Sequence, residues 1–196
     1  MDIYSDKTLI SSIKQNDQKA LELLYEKYFY SLCNFAFNFV KNAEVSEEIV
    51  SDIFLNIWLK RDVLDIKSNC KSYLFIAVKN QSLNHLNKNK VKFEALEILD
   101  KTGHITEKSA HSKLYYGELE KEIEQILLEL PTQRRIIFKL NRIDGLKYIE
   151  IAKILSISVN TVQKQMTEAV KFLASYRPQL KTSLTNGIFT LFYIIF

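Results

Sequence analysis

Asn160, Thr161, Gln163, Lys164 and Thr167 fall within one short stretch, and each can donate a hydrogen bond to a phosphate oxygen or a base edge. None is acidic. Such a set suits recognition of a polyanion rather than making or breaking bonds. A second set is Lys67, Lys71, Tyr73, Lys79, Asn80, Asn84, His85, Asn87, Lys88 and Lys90, which holds amides, lysines and an aromatic ring and not one carboxylate. Side chains of this kind can track a phosphate backbone and stack on or bond to exposed bases; the plainer alternative is a surface rich in Asn and Lys by composition. A third set, Glu48, Ser51, Asp52 and Asn56, has the opposite character, and its plainer alternative is a solvated helix face.

The chemistry of catalysis is missing. There is no nucleophile elbow, no Gly-rich phosphate loop and no HExxH. The three histidines, His85, His104 and His111, have no metal-ligand spacing. We therefore expect no enzyme, no catalytic residue, no metal, no cofactor and no small-molecule substrate.

The stretch 145–173, which must hold the first set, shows two helical periods with almost nothing between them. Tyr148, Ile151, Ala152 and Leu155 line one face of a two-turn helix. Val159, Val162, Met166, Ala169 or Val170, and Leu173 continue at helical spacing once the phase is reset across Ser156, Ile157 and Ser158. Ser158 is placed to cap the second helix. Two helices joined by so tight a turn, with small Ala152 at their crossing, predict a helix-turn-helix, although an ordinary αα-hairpin has the same pattern. Two positions depart from the usual form. Ser156 stands where a left-handed backbone favours Gly, a cost of roughly 1 kcal/mol or more. Lys147 stands where Ser or Thr would complete a capping box with Glu150.

Upstream, Asp17 is placed to cap a helix with the stripe Leu21, Leu24, Tyr28, Leu32, Phe35 and Phe39. After a break at 41–45, Ser46 is expected to cap the next helix, with Glu47 and Glu48 in its first turn and a wide apolar face of Ile49, Val50, Ile53, Phe54, Ile57 and Trp58. Residues 62–69 read as a loop. A third helix begins near Ser68 and carries Tyr73, Leu74, Ala77, Val78, Leu83 and Leu86. Residues 91–112 lose periodicity and contain Gly103, which marks a linker. The stripe Leu119, Ile123, Ile126, Leu127 and Leu130 predicts a helix ended by Pro131; a short helix with Arg134, Arg135, Phe138 and Leu140 follows, and Asp144–Gly145 turns into the helix-turn-helix.

The bounds agree with an all-α protein. With 196 residues, 47% of them hydrophobic, the chain can bury a core, and four Gly with two Pro are too few for an all-β fold. Cys33 and Cys70 lie far apart among apolar neighbours, as reduced thiols of a cytoplasmic protein would. The start, MDIYSDKTLI, has acids and no apolar core, so it is not a signal peptide. The net charge of +4 hides an alternation: residues 1–66 hold seven basic and eleven acidic groups, 67–92 six and none, 93–130 four and nine, and 131–181 ten and three. Two separate basic blocks suggest two contacts with a polyanion, with the acidic segments facing something else.

In this arrangement the sequence resembles a bacterial RNA polymerase sigma factor of the sigma-70 family, extracytoplasmic function (ECF) group. The likeness runs from Ala20 to Leu173, at ALELLYEKYFYSLCNFA, EEIVSDIFLNIW and KSYLFIAVKNQSLNHL, then at LPTQRRIIFKL, DGLKYIEIAKILSISVNTV and AVKFL. Ser51 stands where the family usually has Gln, and Asn84 where Asp is common. The resemblance implies two small helical domains joined by a flexible linker: residues 1–90 as region 2, which binds core polymerase and melts the promoter, 91–112 as linker, 113–178 as a four-helix region 4, and 179–196 as an apolar tail. It implies that Glu48, Asp52, Asn56 and Trp58 dock on the polymerase clamp. Lys67, Lys71, Tyr73, Lys79, Asn80, Asn84 and Lys88 would contact DNA during promoter melting. Arg142, Lys147, Ser158, Asn160, Thr161, Gln163, Lys164, Thr167 and Lys171 would contact the upstream promoter element. The implied partners are core RNA polymerase, promoter DNA and an anti-sigma factor, soluble or membrane-bound.

The tail Ile188–Phe196 is uncharged and almost wholly apolar, yet far short of the ~18 residues of a membrane span. It is expected either to fold back on the second domain or to dock an anti-sigma partner. A stand-alone helix-turn-helix regulator is the alternative function, but it leaves the first ninety residues unemployed.

Overall fold

The computed structural model describes residues 5–66, 69–97 and 125–175. All regular structure among them is helical. The chain divides into two compact units, Met1–Ser112 and Lys113–Phe196.

In the first unit, α1 spans Asp6–Lys14, α2 Gln18–Val40, α3 Ala43–Leu59 and α4 Cys70–Glu97, with a 3-10 turn at Arg61–Val63. Helix α2 packs on both α3 and α4, and α1 lies against α2. The core is the inward face of each: Leu24, Leu32, Phe35 and Ala36 from α2, Ile49, Val50, Phe54 and Ile57 from α3, Leu74, Phe75 and Val78 from α4. Each of the large side chains contributes roughly 1.5–3 kcal/mol by leaving water. Aromatic rings close the seams, Phe35 edge-on to Phe75 with centroids 5.1 Å apart and Tyr25 edge-on to Phe54 at 5.0 Å.

The caps explain where these helices begin. Asp17 caps α2 as expected, its carboxylate accepting from Ala20 N–H at 3.2 Å. Helix α2 ends at Lys41, left-handed at φ 55°, whose N–H reaches Phe37 O. Asn42 then caps α3 by accepting from Val45 N–H at 3.0 Å, so the expected cap at Ser46 is corrected. Asn42 supplies the acceptor one turn earlier, and Ser46 sits buried inside α3, returning its hydroxyl to Asn42 O at 2.6 Å. Glu44, rather than Glu47 or Glu48, occupies the first turn.

Two other expectations shift. Helix α4 starts at Cys70, with Asn69 Oδ1 accepting from Lys71 N–H at 2.9 Å, and it continues to Glu97, inside the segment read as linker. Its buried row is Ser72, Leu74, Phe75, Val78 and Ser82, while Leu83 and Leu86 are 38% and 39% exposed. Phe75 is held against Phe35, which sets the rotation of the helix, and Leu83 falls one residue out of step with that row. Helix α1 is an addition to the elements expected from the sequence. Ser5 caps it, accepting from Thr8 N–H at 3.2 Å, and Leu9 and Ile13 bury its inner face.

In the second unit, residues 125–128 are helical, followed by α5 (Thr132–Arg142), α6 (Tyr148–Leu155) and α7 (Val159–Ser175). Pro131 stands at the N-cap of α5. Arg135 Nη1 donates to Leu128 O at 3.0 Å, which ties the preceding turn to α5. Gly145, at φ +67°, and Asn141, whose amide donates to Leu146 O at 2.8 Å, close the corner into α6. Helix α7 packs on α5 and α6 through Val162, Met166, Ala169 and Leu173. The stripe of α6 is rotated from expectation: Ile151, Ala152 and Ile154 are buried, with Tyr148 and Leu155 only partly so. Val159, read as core, is 41% exposed.

The helix read from Tyr116 up to residue 124, the rest of the linker and the apolar tail lie outside the described residues. Cys33 is half-buried and Cys70 buried, both free thiols, and burial pushes each up to about 12. No helix among the described residues is long and apolar enough to cross a membrane.

Candidate nucleic-acid interface

The turn between α6 and α7 is built by two serines. Ser156 is left-handed (φ 58°, ψ 44°), its N–H bonded to Lys153 O at 3.3 Å, and Ile157 N–H reaches back to Ala152 O at 3.0 Å. These bonds satisfy carbonyls that the end of α6 leaves open. Ser158 Oγ then accepts from Thr161 N–H at 3.0 Å and shares a hydrogen bond with Thr161 Oγ1 at 2.8 Å. Both hydroxyls keep spare capacity for a further partner.

Beyond the cap, Asn160, Gln163, Lys164, Thr167 and Lys171 are exposed along α7, and Thr161 is half-buried. Thr167 Oγ1 donates to Gln163 O at 3.0 Å, and Lys171 Nζ stands 3.6 Å from Glu168. Gln165 points the other way and accepts from Arg134 Nε at 3.1 Å, a brace between α5 and α7. Exposed Val159 adds an apolar contact beside Asn160, of the kind that reads a thymine methyl; its place in an apolar period concealed it. Lys147 is exposed at the N-cap of α6, where its N–H donates to Glu150 Oε2 at 2.7 Å. Only this arm of the box is possible, because a lysine ammonium cannot accept. Arg142 is half-buried, and its Nε is buried with no hydrogen-bond partner.

On α4, at ~100° per residue, Tyr73, Ala77, Asn80, Asn84 and Asn87 fall in one outward sector opposite the buried row. Asn80, Asn84 and Asn87 are exposed and Tyr73 half-buried, with Lys79 and Lys88 at the flanks. Amides thus sit centrally where base edges could be read, and cations sit where phosphates would run. Lys71 does not share this sector. It is half-buried, its ammonium 5.6 Å from the centroid of the Tyr28 ring. Lys67 lies outside the described residues.

Helix α3 presents a different surface. Glu44, Glu48, Ser51, Leu55 and Leu59 are exposed along one side, and Asp52 is half-buried among them. Leu55 and Leu59 are 55% and 63% exposed and Val63 79%. The sequence reading missed these apolar residues, since a leucine beside a wide apolar face carries no mark of which way it turns. Asn56 returns its amide to Asp52 O at 2.8 Å. Trp58 is half-buried at the edge, its ring 4.6 Å from the guanidinium carbon of Arg61. Carboxylates around exposed leucines fit a basic protein surface with an apolar centre. They repel nucleic acid. Among the described residues no group of His, Cys, Asp and Glu could hold a metal ion.

Comparison with known proteins places both units. Residues 24–91 match the family described as Sigma-70 region 2, and residues 120–173 match Sigma-70, region 4. The chain is 26% identical over 171 residues to the ECF RNA polymerase sigma factor SigW of Bacillus subtilis, covering 82% of this chain and 90% of that one. It is also 26% identical over 176 residues to the ECF RNA polymerase sigma-E factor of Escherichia coli, covering 84% and 90%. Among solved structures, the sigma factor RpoE in complex with the anti-sigma factor NepR from Bartonella quintana shares the fold with a TM-score of 0.58 at 20% identity, over 80% of this chain and 96% of that chain. CnrH in complex with the cytosolic domain of CnrY gives a TM-score of 0.55 at 19% identity, over 89% and 97%.

Proposed function

The chain belongs to the sigma-70 family of RNA polymerase initiation factors, in its ECF group, and from that premise we propose how its surfaces divide the work of initiation. It is a transcription initiation factor that binds core RNA polymerase and confers promoter recognition and local melting. The observation that carries the division is the pairing, in one small unit, of an acidic-apolar face on α3 with a carboxylate-free face on α4.

The α3 face, with Glu48, Asp52, Asn56 and Trp58 joined by Leu55 and Leu59, is the polymerase-docking surface. Its acids attract a basic partner and its leucines supply the buried centre. The connection after α3 and the outward sector of α4 engage the promoter as it opens. Tyr73 offers a stacking ring, Asn80 and Asn84 reach base edges, and Lys79 and Lys88 hold the single strand, on the logic of base extrusion and strand tracking. The second unit lays α7 into the major groove of the upstream element, with Asn160, Gln163, Lys164 and Thr167 toward the bases and Arg142, Lys147 and Lys171 toward phosphates. Ser158 and Thr161 lock the start of α7 and add a hydroxyl each.

On this reading the protein acts in the cytoplasm, supplies no catalytic step of its own and is held in check by an anti-sigma factor. The stand-alone regulator gives α1–α4 no task and is not favoured. The decisive test is run-off transcription with core polymerase and a promoter selected by the reconstituted holoenzyme. Transcription should depend on adding the protein; promoter-specific duplex binding with no effect on core polymerase would overturn the assignment.

A further inference from the structure

Helix α1 touches both ends of the chain that joins the docking helix α3 to the melting helix α4. Its burial through Leu9 and Ile13 accounts for its attachment to α2. It does not account for the polar contacts at its two ends.

At the C-terminal end, Asn16 forms the corner into α2 with a left-handed backbone (φ 65°), which Asn tolerates better than most residues. Its Oδ1 accepts from Arg61 Nε. Arg61 is the first residue of the 3-10 turn leaving α3 and is engaged on three sides: Nε with Asn16, Nη1 donating to Trp58 O at 2.8 Å, and the guanidinium plane over the Trp58 ring. A planar fork held in this way has little rotational freedom left. The start of the connection is therefore fixed to the α1–α2 corner.

At the N-terminal end, Asp6 takes Lys27 Nζ on one oxygen at 2.8 Å and the Tyr28 hydroxyl on the other at 2.6 Å. The Tyr28 ring is buried in turn beneath the ammonium of Lys71, in the first turn of α4. Burial, then the bond to Asp6, push the phenol far above its ordinary value, so it remains a donor. The far end of the connection is thus also referred to α1. The nine residues of α1, at ~1.5 Å each, make a rigid helix of ~13 Å that runs from Asp6 to Lys14, two residues short of the corner at Asn16.

We propose that α1 is a strap that sets the separation of these two ends, Arg61 and Lys71, so that the chain leaving α3 and the first turn of α4 are already placed for the opening strand before DNA arrives. Asn16, Arg61 and Asp6 are positioning residues, acting through the backbone they hold. This rests on the assignment of that connection to promoter opening.

The test uses full-length holoenzymes carrying Asn16→Ala, Asp6→Asn, Asn16→Asp or Val63→Gly, the last loosening the connection itself. Run-off is measured on a duplex promoter and on the same promoter premelted by mismatches around the start site. Asn16→Ala and Asp6→Asn should each lower the rate on duplex about fivefold, the worth of one hydrogen bond, with near wild-type rates on the premelted template and unchanged core affinity. Asn16→Asp, which keeps an acceptor for Arg61, should restore the duplex rate. If Val63→Gly slows the duplex reaction but the strap variants do not, the strap is wrong. If the strap variants slow both templates equally, or lower the melting temperature enough to reduce active protein, α1 serves general stability only. If Val63→Gly runs at full rate on duplex, the assignment of the connection to opening fails and takes the strap with it.

Discussion

Helices α3 and α7 are both seventeen residues long, and each buries one side against two neighbouring helices. On their open sides they differ completely. Helix α3 shows glutamates, Asp52 and two leucines, whereas α7 shows amides, a hydroxyl and lysines, and its carboxylate Glu168 is half-buried beside Lys171. The buried faces are alike in kind, both dominated by apolar side chains: Ile49, Val50, Ile53, Phe54 and Ile57 in α3, and Val162, Met166, Ala169 and Leu173 in α7. On the proposed division of surfaces, partner class is written in the residues folding leaves free, and the two partners are sorted chiefly by charge: an acidic helix is repelled by phosphates, and a lysine-bearing one gains nothing from a basic protein surface.

The largest effect is expected where that sorting is inverted. Asp52→Arg puts a cation in the middle of the α3 face, and like charges brought together across an interface cost several kcal/mol. Affinity for core polymerase should fall on the order of 100-fold in a competition binding assay, with no loss in the binding of upstream-element duplex by the second unit. Equal core affinity for the variant and the parent would remove α3 as the docking helix and break the comparison at its first term.

The second term is tested on α7. Lys164→Ala deletes one exposed cation without touching the buried row. Deleting a cation that neutralises a phosphate weakens binding to all sequences alike and lowers the slope of log affinity against log salt by about 1. Titrations at several salt concentrations with the selected promoter and a scrambled duplex should show that uniform decrease. A decrease confined to the selected promoter would make Lys164 a base reader instead, which sharpens the division within α7.

The sequence made the helix-turn-helix legible because its signals are local. Ser158 as a cap and Ser156 as a left-handed turn residue depend on neighbours one to three positions away, so the turn was legible even though Ser156 holds a conformation that Gly would adopt at less cost. The elements that the sequence left ambiguous depend on distant neighbours. Whether Asn42 or Ser46 starts α3 turns on how close α2 ends, and both residue types are good caps. The rotation of α4 follows from Phe75 meeting Phe35, forty residues earlier in the chain, so Leu83 could not be assigned outward from its own spacing, while Leu86 keeps the phase of Phe75, Val78 and Ser82 and is 39% exposed all the same. The same holds for Leu55 and Leu59, whose exposure gives the α3 face its apolar centre. Helix α1 is short, and Ser5 ahead of Leu9, Ile10 and Ile13 was the signal that could have found it.

The smallest effect bears on whether the fold of the helix-turn-helix and its contact surface can be varied apart, and Lys147 is the residue where the two overlap. Lys147→Ser adds a side-chain acceptor for Glu150 N–H, which in the native chain reaches only Lys147 O at 2.9 Å, and completes the capping box whose other arm, Lys147 N–H to Glu150 Oε2, is already made. Thermal unfolding should show a gain of about 1 kcal/mol. The same change removes a cation, so if Lys147 touches a phosphate, the salt slope of duplex binding drops by about 1 while stability rises. Ser156→Gly separates the two consequences. It relieves the left-handed position for a similar gain of about 1 kcal/mol and leaves every charge in place. If Ser156→Gly leaves the slope unchanged and Lys147→Ser lowers it, the ammonium at the N-cap is a DNA contact kept at the expense of a better cap. If neither variant moves the slope, Lys147 belongs to the solvated surface, and the contact face of the second unit is confined to α7 and Arg142.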